Sequence, residues 1–236
     1  MDACEAVKAR THFFKERISM SQTAMWLTLV IVAAIVLIGS VLYKKKFTAR
    51  EITIIGVMAA LSFVAYEFLR IPNVFGTGSS FHLGNTFTAL TAMLLDGVSG
   101  GLAGAVGLAL ADIVAGDPGY AITTFVLKFI IGIVCGFVAH KLLKLKQRSP
   151  KDGASYLGAV IVSALSGLLV NVVTDPFLGY FRNIYIFGQE ASIAAVWTKI
   201  AGGVTLVNSI LSTVCAVILY LALRPALEKA HLIDKK

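Results

Sequence analysis

Charged residues are scarce in this chain of 236 residues. They make up 14% of it, and hydrophobic residues make up 57%, whereas a soluble domain carries about 25% charged residues. This balance excludes an ordinary soluble domain. At about 20 residues per span, the length accommodates about six or seven membrane-crossing helices. We therefore predict an all-α integral membrane protein, and we assign the net charge of +8 to its loops and tails rather than to nucleic-acid binding.

Residues that carry catalysis or metal binding are also few. The cysteines are Cys4, Cys135 and Cys215, whose spacing fits no metal site, so we interpret them as small packing residues. The sequence has no Walker A, H-E-x-x-H or dinucleotide-binding motif, and it predicts no ATP hydrolysis by this chain, no metal and no cofactor. A G-x-S-x-G match at 97–101 is typical of hydrolases only in a strand–turn–helix. It falls between two apolar runs, where we predict a turn.

Seven apolar runs predict the membrane spans. They cover Ala24–Tyr43, Ile52–Phe68, Leu83–Leu95, Gly101–Val114, Ala121–Leu143, Tyr156–Val173 and Ile200–Leu223. Turns are predicted at Asp96–Gly100 and Ala115–Tyr120, and a loop rich in Gly, Ser and Asn at Asn73–Ser80. Thr174–Lys199, which contains Pro176, is predicted as a long mixed loop.

The distribution of Lys and Arg predicts the orientation. The loops at 44–50 and 141–152 are strongly basic, as is the C-terminal tail, whereas the loops on the other side carry only Arg70, Arg182 and Lys199. Basic loops remain in the cytoplasm. The six spans after the first therefore alternate, with both ends of this core inside.

The first apolar run agrees less well with this alternation, because a spanning helix there places the basic N-terminal residues outside. A cleaved signal peptide is an alternative, although the run is long and lacks a clear small-x-small cleavage site. We favour an appended seventh helix outside the functional core. The predicted division is an N-terminal extension at 1–46, a membrane domain at 47–224 and a cytoplasmic tail at 225–236.

Polar residues of the predicted core fall at one depth, in the half that faces away from the cytoplasm. They are His82, Asn85, Asp112, Thr124, Lys128, Asn171, Asp175, Thr205 and Asn208. Polar groups are costly in hydrocarbon and often mark a substrate path. Thr124 and Lys128 are four residues apart and share a helix face, and Asn171 and Asp175 have the same spacing. The pattern predicts a pocket open to the outside. It leaves open whether Lys128 and Asp112 bind ligand or belong to an internal network.

Small residues recur at the spacing of helix contacts. They are Gly100, Gly104, Gly107 and Ala111 in one span and Gly132 and Gly136 in the next. Such residues let helices approach closely in a membrane, so we interpret them as packing sites. Gly56 and Ala60 form another pair, on the first core span, and this pair is a candidate contact for a partner.

Three blocks of the chain resemble the S components of energy-coupling factor (ECF) vitamin transporters. The blocks are Phe47–Ile52 with Gly56–Phe63, then Phe81–Asn85 with the Gly-rich run to Asp112, and then Gly119-Tyr120 with Thr123–Lys128 and Gly132. Their order and the span lengths resemble that family over residues 47–223. Residues 1–46 depart from its six-helix pattern.

The resemblance implies a six-helix subunit that captures a vitamin or vitamin precursor outside a prokaryotic cell membrane. Its implied partners are a transmembrane scaffold and two ABC-type ATPases, and no enzymatic activity is implied. Gly56 and Ala60 stand where the family has an Ala-xxx-Ala-like pattern that contacts the scaffold. The most similar subset is the riboflavin-, hydroxymethylpyrimidine- and pyridoxine-type carriers. A self-sufficient secondary transporter and an intramembrane enzyme remain alternatives, and the ligand stays open.

The resemblance also places the ligand between the outer halves of the fourth to sixth core spans, beneath the loop after the first. Together with the depth pattern, this predicts a set of substrate-binding residues. They are Phe75, Phe81, Asn85, Thr124, Lys128, Asn171, Asp175 and Asn208. Phe75 and Phe81, with Phe177 and Tyr180, are candidates for stacking on an aromatic ligand.

Overall fold

The computed structural model describes residues 22–43, 46–72 and 79–233, and these are almost entirely helical. The helices are α1 (Gln22–Tyr43), α2 (Ala49–Glu67), α3 (Gly84–Leu94), α4 (Gly97–Val114), α5 (Pro118–Phe137), α6 (Ala154–Tyr185) and α7 (Ala191–Lys229). Two short strands, β1 (Ile71–Pro72) and β2 (Ser80–Phe81), pair antiparallel between α2 and α3. Six of these seven helices, all except α3, are long and apolar enough to cross a membrane. The predicted all-α membrane fold is confirmed.

Side-chain caps determine where α2 and α4 begin. Thr48 Oγ1 accepts a hydrogen bond from Glu51 N at 3.2 Å, and the Glu51 carboxylate accepts one from Thr48 N at 2.9 Å, which forms a capping box. The Asp96 carboxylate accepts from Ser99 N at 2.9 Å, so α4 begins directly after Asp96. The predicted turn at Asp96–Gly100 is therefore wrong. The G-x-S-x-G match forms the first turn of a helix, and Ser99 is completely buried in it.

The helix α6 extends far beyond its predicted end. It passes through Pro176, and only residues 186–190 separate it from α7. The predicted long loop Thr174–Lys199 is therefore wrong. A proline removes one helical hydrogen bond, but the turns that follow it pack into the bundle, where Gly179, Arg182 and Asn183 are buried.

The last helix also continues past its predicted end. It passes through Pro225 to Lys229, so the first residues of the predicted tail at 225–236 are helical. Arg224 Nε donates to Glu228 Oε1 at 2.7 Å. Such an i, i+4 pair stabilises the helical turn that contains the proline.

The helix α3 has only 11 residues, and its C-terminal residues Leu94 and Leu95 are buried in the bundle. One of its last carbonyl oxygens, that of Ala92, lies 2.8 Å from His140 Nε2. His140 belongs to a π-helical turn, Val138–Leu142, that continues α5. Backbone polar groups need partners inside a membrane, and the imidazole supplies one where the short helix ends.

Glycines bring α4 into backbone contact with its neighbours. A Cβ atom added to Gly132 would meet the backbone of Gly101, and one added to Gly107 would meet the carbonyl oxygen of Ala59. These contacts join α4 to α5 and to α2. Small residues permit such close approach in a membrane bundle.

We expect Gly132→Val to destabilise the bundle by about 1–3 kcal/mol, because the added side chain pushes two backbones apart. Thermal unfolding of the purified protein in detergent measures this effect. Gly158→Val is the matched control, since it lies in a helix with nothing within 4 Å of the added Cβ. If both variants melt at the wild-type temperature, α4 and α5 tolerate separation and the expectation is wrong.

The helix α1 lies at the side of the bundle, against α4 and α5. Its residues Leu29, Val32 and Val36 pack near Ala109 and Phe125. Only 11% of the apolar stretch of this helix is buried inside the protein. The position is that of an accessory helix, and the functional boundary at residue 46 stays a prediction.

Candidate functional site

A cavity of about 70 Å³ lies at the end of the bundle that carries the β1–β2 hairpin. Helices α2 to α7 form its walls, together with Ser80 and His82 from the hairpin region. Six of the eight predicted substrate-binding residues line it, namely Asn85, Thr124, Lys128, Asn171, Asp175 and Asn208. Asp112 and Thr205, which were predicted at the same depth, line it too. The fold thus brings together polar residues from five helices.

The aromatic residues proposed for stacking are placed differently. Phe75 lies outside the described residues. Phe81 is half-buried but does not line the cavity, and Phe177 is 62% exposed. The aromatic side chains in the cavity wall are those of Tyr66 and Tyr120. The binding roles of Phe75 and Phe81 therefore stay predictions, and the two tyrosines are additional candidates.

Arg182 is a cavity residue that the sequence pattern did not single out. It fell in the loop predicted at Thr174–Lys199, which also contained Asp175. Because α6 continues as a helix, Asn171, Asp175 and Arg182, spaced by four and seven positions, point into one cavity. That spacing, extended past Pro176, is the signal that identifies Arg182 from sequence.

Asn208 attaches the hairpin to α7. Its Nδ2 donates to the carbonyl oxygen of Ser80 at 2.9 Å, and its Oδ1 accepts from the backbone N–H of His82 at 3.1 Å. Both ends of the amide therefore hold backbone of the segment beside the cavity. A contact of Asn208 with ligand stays a prediction, and the structure adds this second role.

Asn171 has no such partners. It is 1% exposed, and neither its Nδ2 nor its Oδ1 forms a hydrogen bond with any described residue. Asn85 Oδ1 and Asp112 Oδ2 are also buried without a partner in that part of the chain. Buried polar atoms are nearly always hydrogen-bonded in proteins. These donors and acceptors are therefore points at which a ligand can be held.

Lys128 is a buried cation of the cavity wall, with 8% of its surface exposed. The carboxylates of Asp175 and Asp112 both stabilise its charge electrostatically. Neither forms a direct ion pair with it within the described chain. Asp175 accepts a hydrogen bond from Thr205 Oγ1 instead, and Asp112 interacts with the hydroxyl group of Thr124. Lys128 thus interacts electrostatically with both carboxylates but forms a direct ion pair with neither of them in the described chain.

We expect Lys128→Met to weaken ligand binding at least about tenfold and to impair uptake, because it leaves two neighbouring carboxylates without their cation. Equilibrium titration of the purified protein measures the affinity. Lys128→Arg keeps the charge and serves as the control. Wild-type affinity and uptake in Lys128→Met would show that this charge has no part in function.

His82 lies between the hairpin and α3, with its ring centroid 4.7 Å from that of Tyr66. Its Nδ1 accepts a hydrogen bond from Gly84 N at 3.2 Å. Burial lowers the pKa of His82 to about 3, and the nearby charges of Lys128 and Arg70 act in the same direction. The imidazole is therefore neutral near pH 7, so its titration does not regulate the cavity there.

Gly56 and Ala60 lie on an exposed face of α2. A Cβ atom added to Gly56 would meet nothing within 4 Å, and Ala60 is exposed as well. The buried face of the same helix contains Ala59, which meets Gly107 of α4. The predicted docking pair is thus not used for packing among the described residues, and it leaves a shallow depression on the surface of α2.

The helical bundle defines a multi-pass membrane protein with an internal polar cavity. A family model for the S component of the ECF-type riboflavin transporter matches residues 46–225. The chain therefore belongs to the ECF-type riboflavin transporter S component family, and the resemblance seen in the sequence is confirmed. This is a family of vitamin-uptake subunits and not an enzyme family.

A protein of Pyrococcus woesei is similar over a shorter stretch. It is described as "Uncharacterized protein in gap 3′region" and is 28% identical over 138 residues, which cover 58% of this chain and 80% of that protein. No solved structure matches the chain significantly.

Proposed function

We propose that this chain is the substrate-capture subunit of an ECF-type importer and that the cavity beside the hairpin binds a riboflavin-like vitamin. The observation that carries the proposal is Asn171, whose buried amide has no partner among the described residues and lines that cavity. An amide offers two N–H donors and a carbonyl acceptor side by side. This pattern complements the neighbouring N–H and C=O groups of a nitrogen heterocycle. Riboflavin is the first candidate because the matching family is described by it.

The cavity must enlarge before such a ligand enters. Its volume is about 70 Å³, whereas sites for drug-sized ligands occupy about 300–1,000 Å³. The hairpin region forms one wall of the cavity, and Asn208 attaches it to α7 through two hydrogen bonds, with Ser80 and His82. We therefore propose that the ligand enters when these two bonds open.

The direction of capture follows from the distribution of charge. The cavity lies at the end of the bundle where α5 begins, and the basic segment at 141–152 follows the opposite end of that helix. Basic loops remain in the cytoplasm. We propose that the cavity opens to the outside of a prokaryotic cell membrane, with both ends of the core inside.

Energy for uptake is proposed to come from partner subunits, because the sequence has no P-loop of its own. A transmembrane scaffold is proposed to contact α2 at the exposed pair Gly56 and Ala60. Two ABC-type ATPases would then act on this scaffold.

A paired experiment tests the proposed function. Riboflavin is titrated into the purified chain, with fluorescence quenching as the signal, and small molecules that copurify are identified by mass spectrometry. Uptake is then measured in vesicles that contain the chain alone or the chain with scaffold and ATPases. We expect binding by the chain alone and uptake only with the partners and ATP. Uptake by the chain alone would establish a secondary transporter, and copurification of a different vitamin would replace riboflavin as the ligand.

A further inference from the structure

Two arginines are buried in the described part of the chain, and their surroundings differ. Arg224 is 9% exposed and donates to a carboxylate, two backbone carbonyls and two phenol groups. These acceptors are Glu228 Oε1, the carbonyl oxygens of Leu145 and Lys146, and the hydroxyl oxygens of Tyr156 and Tyr220. Arg182 is 8% exposed and donates only from Nη1, to Thr123 Oγ1 at 3.1 Å. Its Nε is buried without a partner among the described residues.

Aromatic rings supply part of the stabilisation that Arg182 lacks. Its Cζ lies 4.0 Å from the ring centroid of Tyr120 and 5.8 Å from that of Phe187, which are cation–π distances. No carboxylate of the described chain forms an ion pair with it. A guanidinium group does not deprotonate in proteins, and a buried charge without a counter-charge is costly. The cavity wall therefore holds a permanent cation with an unused donor.

The nearby carboxylates are shared with other groups. Asp112 and Asp175 both act on Lys128, and Asp112 also interacts electrostatically with Arg182 without forming an ion pair. Arg70, the arginine of the hairpin region, forms an ion pair with Asp117 at 3.8 Å and donates to Ser80 Oγ at 2.8 Å. Arg70 thus has an ion-pair partner of its own, whereas Arg182 shares the more distant charge of Asp112 with Lys128 and forms no ion pair within the described chain.

The cavity has a neutral polar group, the Asn171 amide, at one end and a cation, Arg182, at the other. Arg182 lies eleven residues beyond Asn171 on α6, about 16 Å at 1.5 Å per residue. It stacks on Tyr120, in the first turn of α5. The neutral amide of Asn171 therefore lies deeper in the bundle, and the guanidinium lies at the end where α5 begins.

We infer that Arg182 binds an oxyanion, a carboxylate or phosphate group, at the outer end of the ligand. The planar guanidinium binds such oxygens through neighbouring N–H groups, and Tyr120 holds the plane in position. The inference rests on the proposed function and refines it. The preferred ligand is then a riboflavin-like molecule that has a neutral hydrogen-bonding end at Asn171 and carries an added oxyanion group at the end near Arg182.

The test compares riboflavin with riboflavin 5′-phosphate on the purified full chain. We expect the wild type to bind the phosphate form at least tenfold more tightly. Arg182→Gln should remove this preference, so that the variant binds riboflavin and riboflavin 5′-phosphate with affinities within threefold of each other. Arg182→Lys, which keeps the charge but loses the planar fork, should retain part of the preference. Arg70→Gln is the matched control and should keep the full preference.

A second readout does not depend on flavins. Inorganic phosphate, compared with chloride at equal ionic strength, should raise the melting temperature of the wild type and of Arg70→Gln but not of Arg182→Gln. If neither flavin binds and phosphate still stabilises through Arg182, the flavin assignment fails and the oxyanion site stands. If both flavins bind equally well to the wild type and phosphate has no effect that depends on Arg182, the inference is overturned while the proposed function remains. Should Arg182→Gln fail to fold, Arg182→Lys decides between these outcomes.

Discussion

Replacing Gly56 and Ala60 together by leucine is expected to abolish ATP-dependent uptake and to leave ligand binding by the isolated subunit unchanged. Both residues lie on an exposed face of α2, and a Cβ atom added at Gly56 would meet no described residue within 4 Å. Two small residues one turn apart let another helix approach to backbone contact. Leucines at these positions would hold the scaffold away, whereas the cavity lining contains neither residue.

The measurement has two parts. Equilibrium binding is followed on the purified double variant, and uptake is followed after reconstitution with scaffold and ATPases. The control is Gly158→Leu, which places a bulky residue on the surface of α6. An added Cβ atom at Gly158 also meets no described residue within 4 Å, so this variant should transport normally. Normal transport by the double variant would show that this face of α2 is not the docking surface. Loss of binding or of folding would show that the pair serves internal packing.

Asn171→Ala is expected to weaken ligand binding about ten- to hundredfold. The loss of hydrogen bonds from a buried amide costs about 1–3 kcal/mol, and each factor of ten in affinity corresponds to about 1.4 kcal/mol. The stability of the ligand-free protein should not fall, because the amide has no partner within the described chain. Titration and thermal unfolding of the same preparation separate the two effects. Unchanged affinity would show that the Asn171 amide does not contact the ligand.

Asn208→Ala provides the contrast, since the same substitution there removes bonds that exist without ligand. We expect faster hydrogen exchange in residues 80–82, because the amide no longer holds Ser80 and His82. Ligand affinity should fall as well, through faster dissociation past the loosened hairpin. Exchange at the wild-type rate would show that other contacts hold the hairpin closed.

The agreement between sequence and structure is uneven for physical reasons. The short span at Leu83–Leu95 corresponds to α3, which is followed directly by Asp96, the N-cap of the next helix. The predicted loop at Thr174–Lys199 was wrong because Pro176 is a local signal, whereas the residues that α6 buries beyond it, Gly179, Arg182 and Asn183, depend on the tertiary fold. Arg182 was missed as a consequence, since its face on α6 exists only if the helix continues.

The sequence by itself determined the membrane class, the helical fold and the family, and it placed a set of polar residues at one depth. These properties depend on composition and on spacing along the chain, which a single sequence contains. Only the tertiary structure decided which polar atoms already form hydrogen bonds within the protein. The Asn208 amide is held by Ser80, 128 positions away. The side-chain amide of Asn171 and the Nε of Arg182 have no hydrogen-bond partner in the described chain. Hydrogen-bond partners come from distant residues that the fold brings together, so spacing does not reveal them.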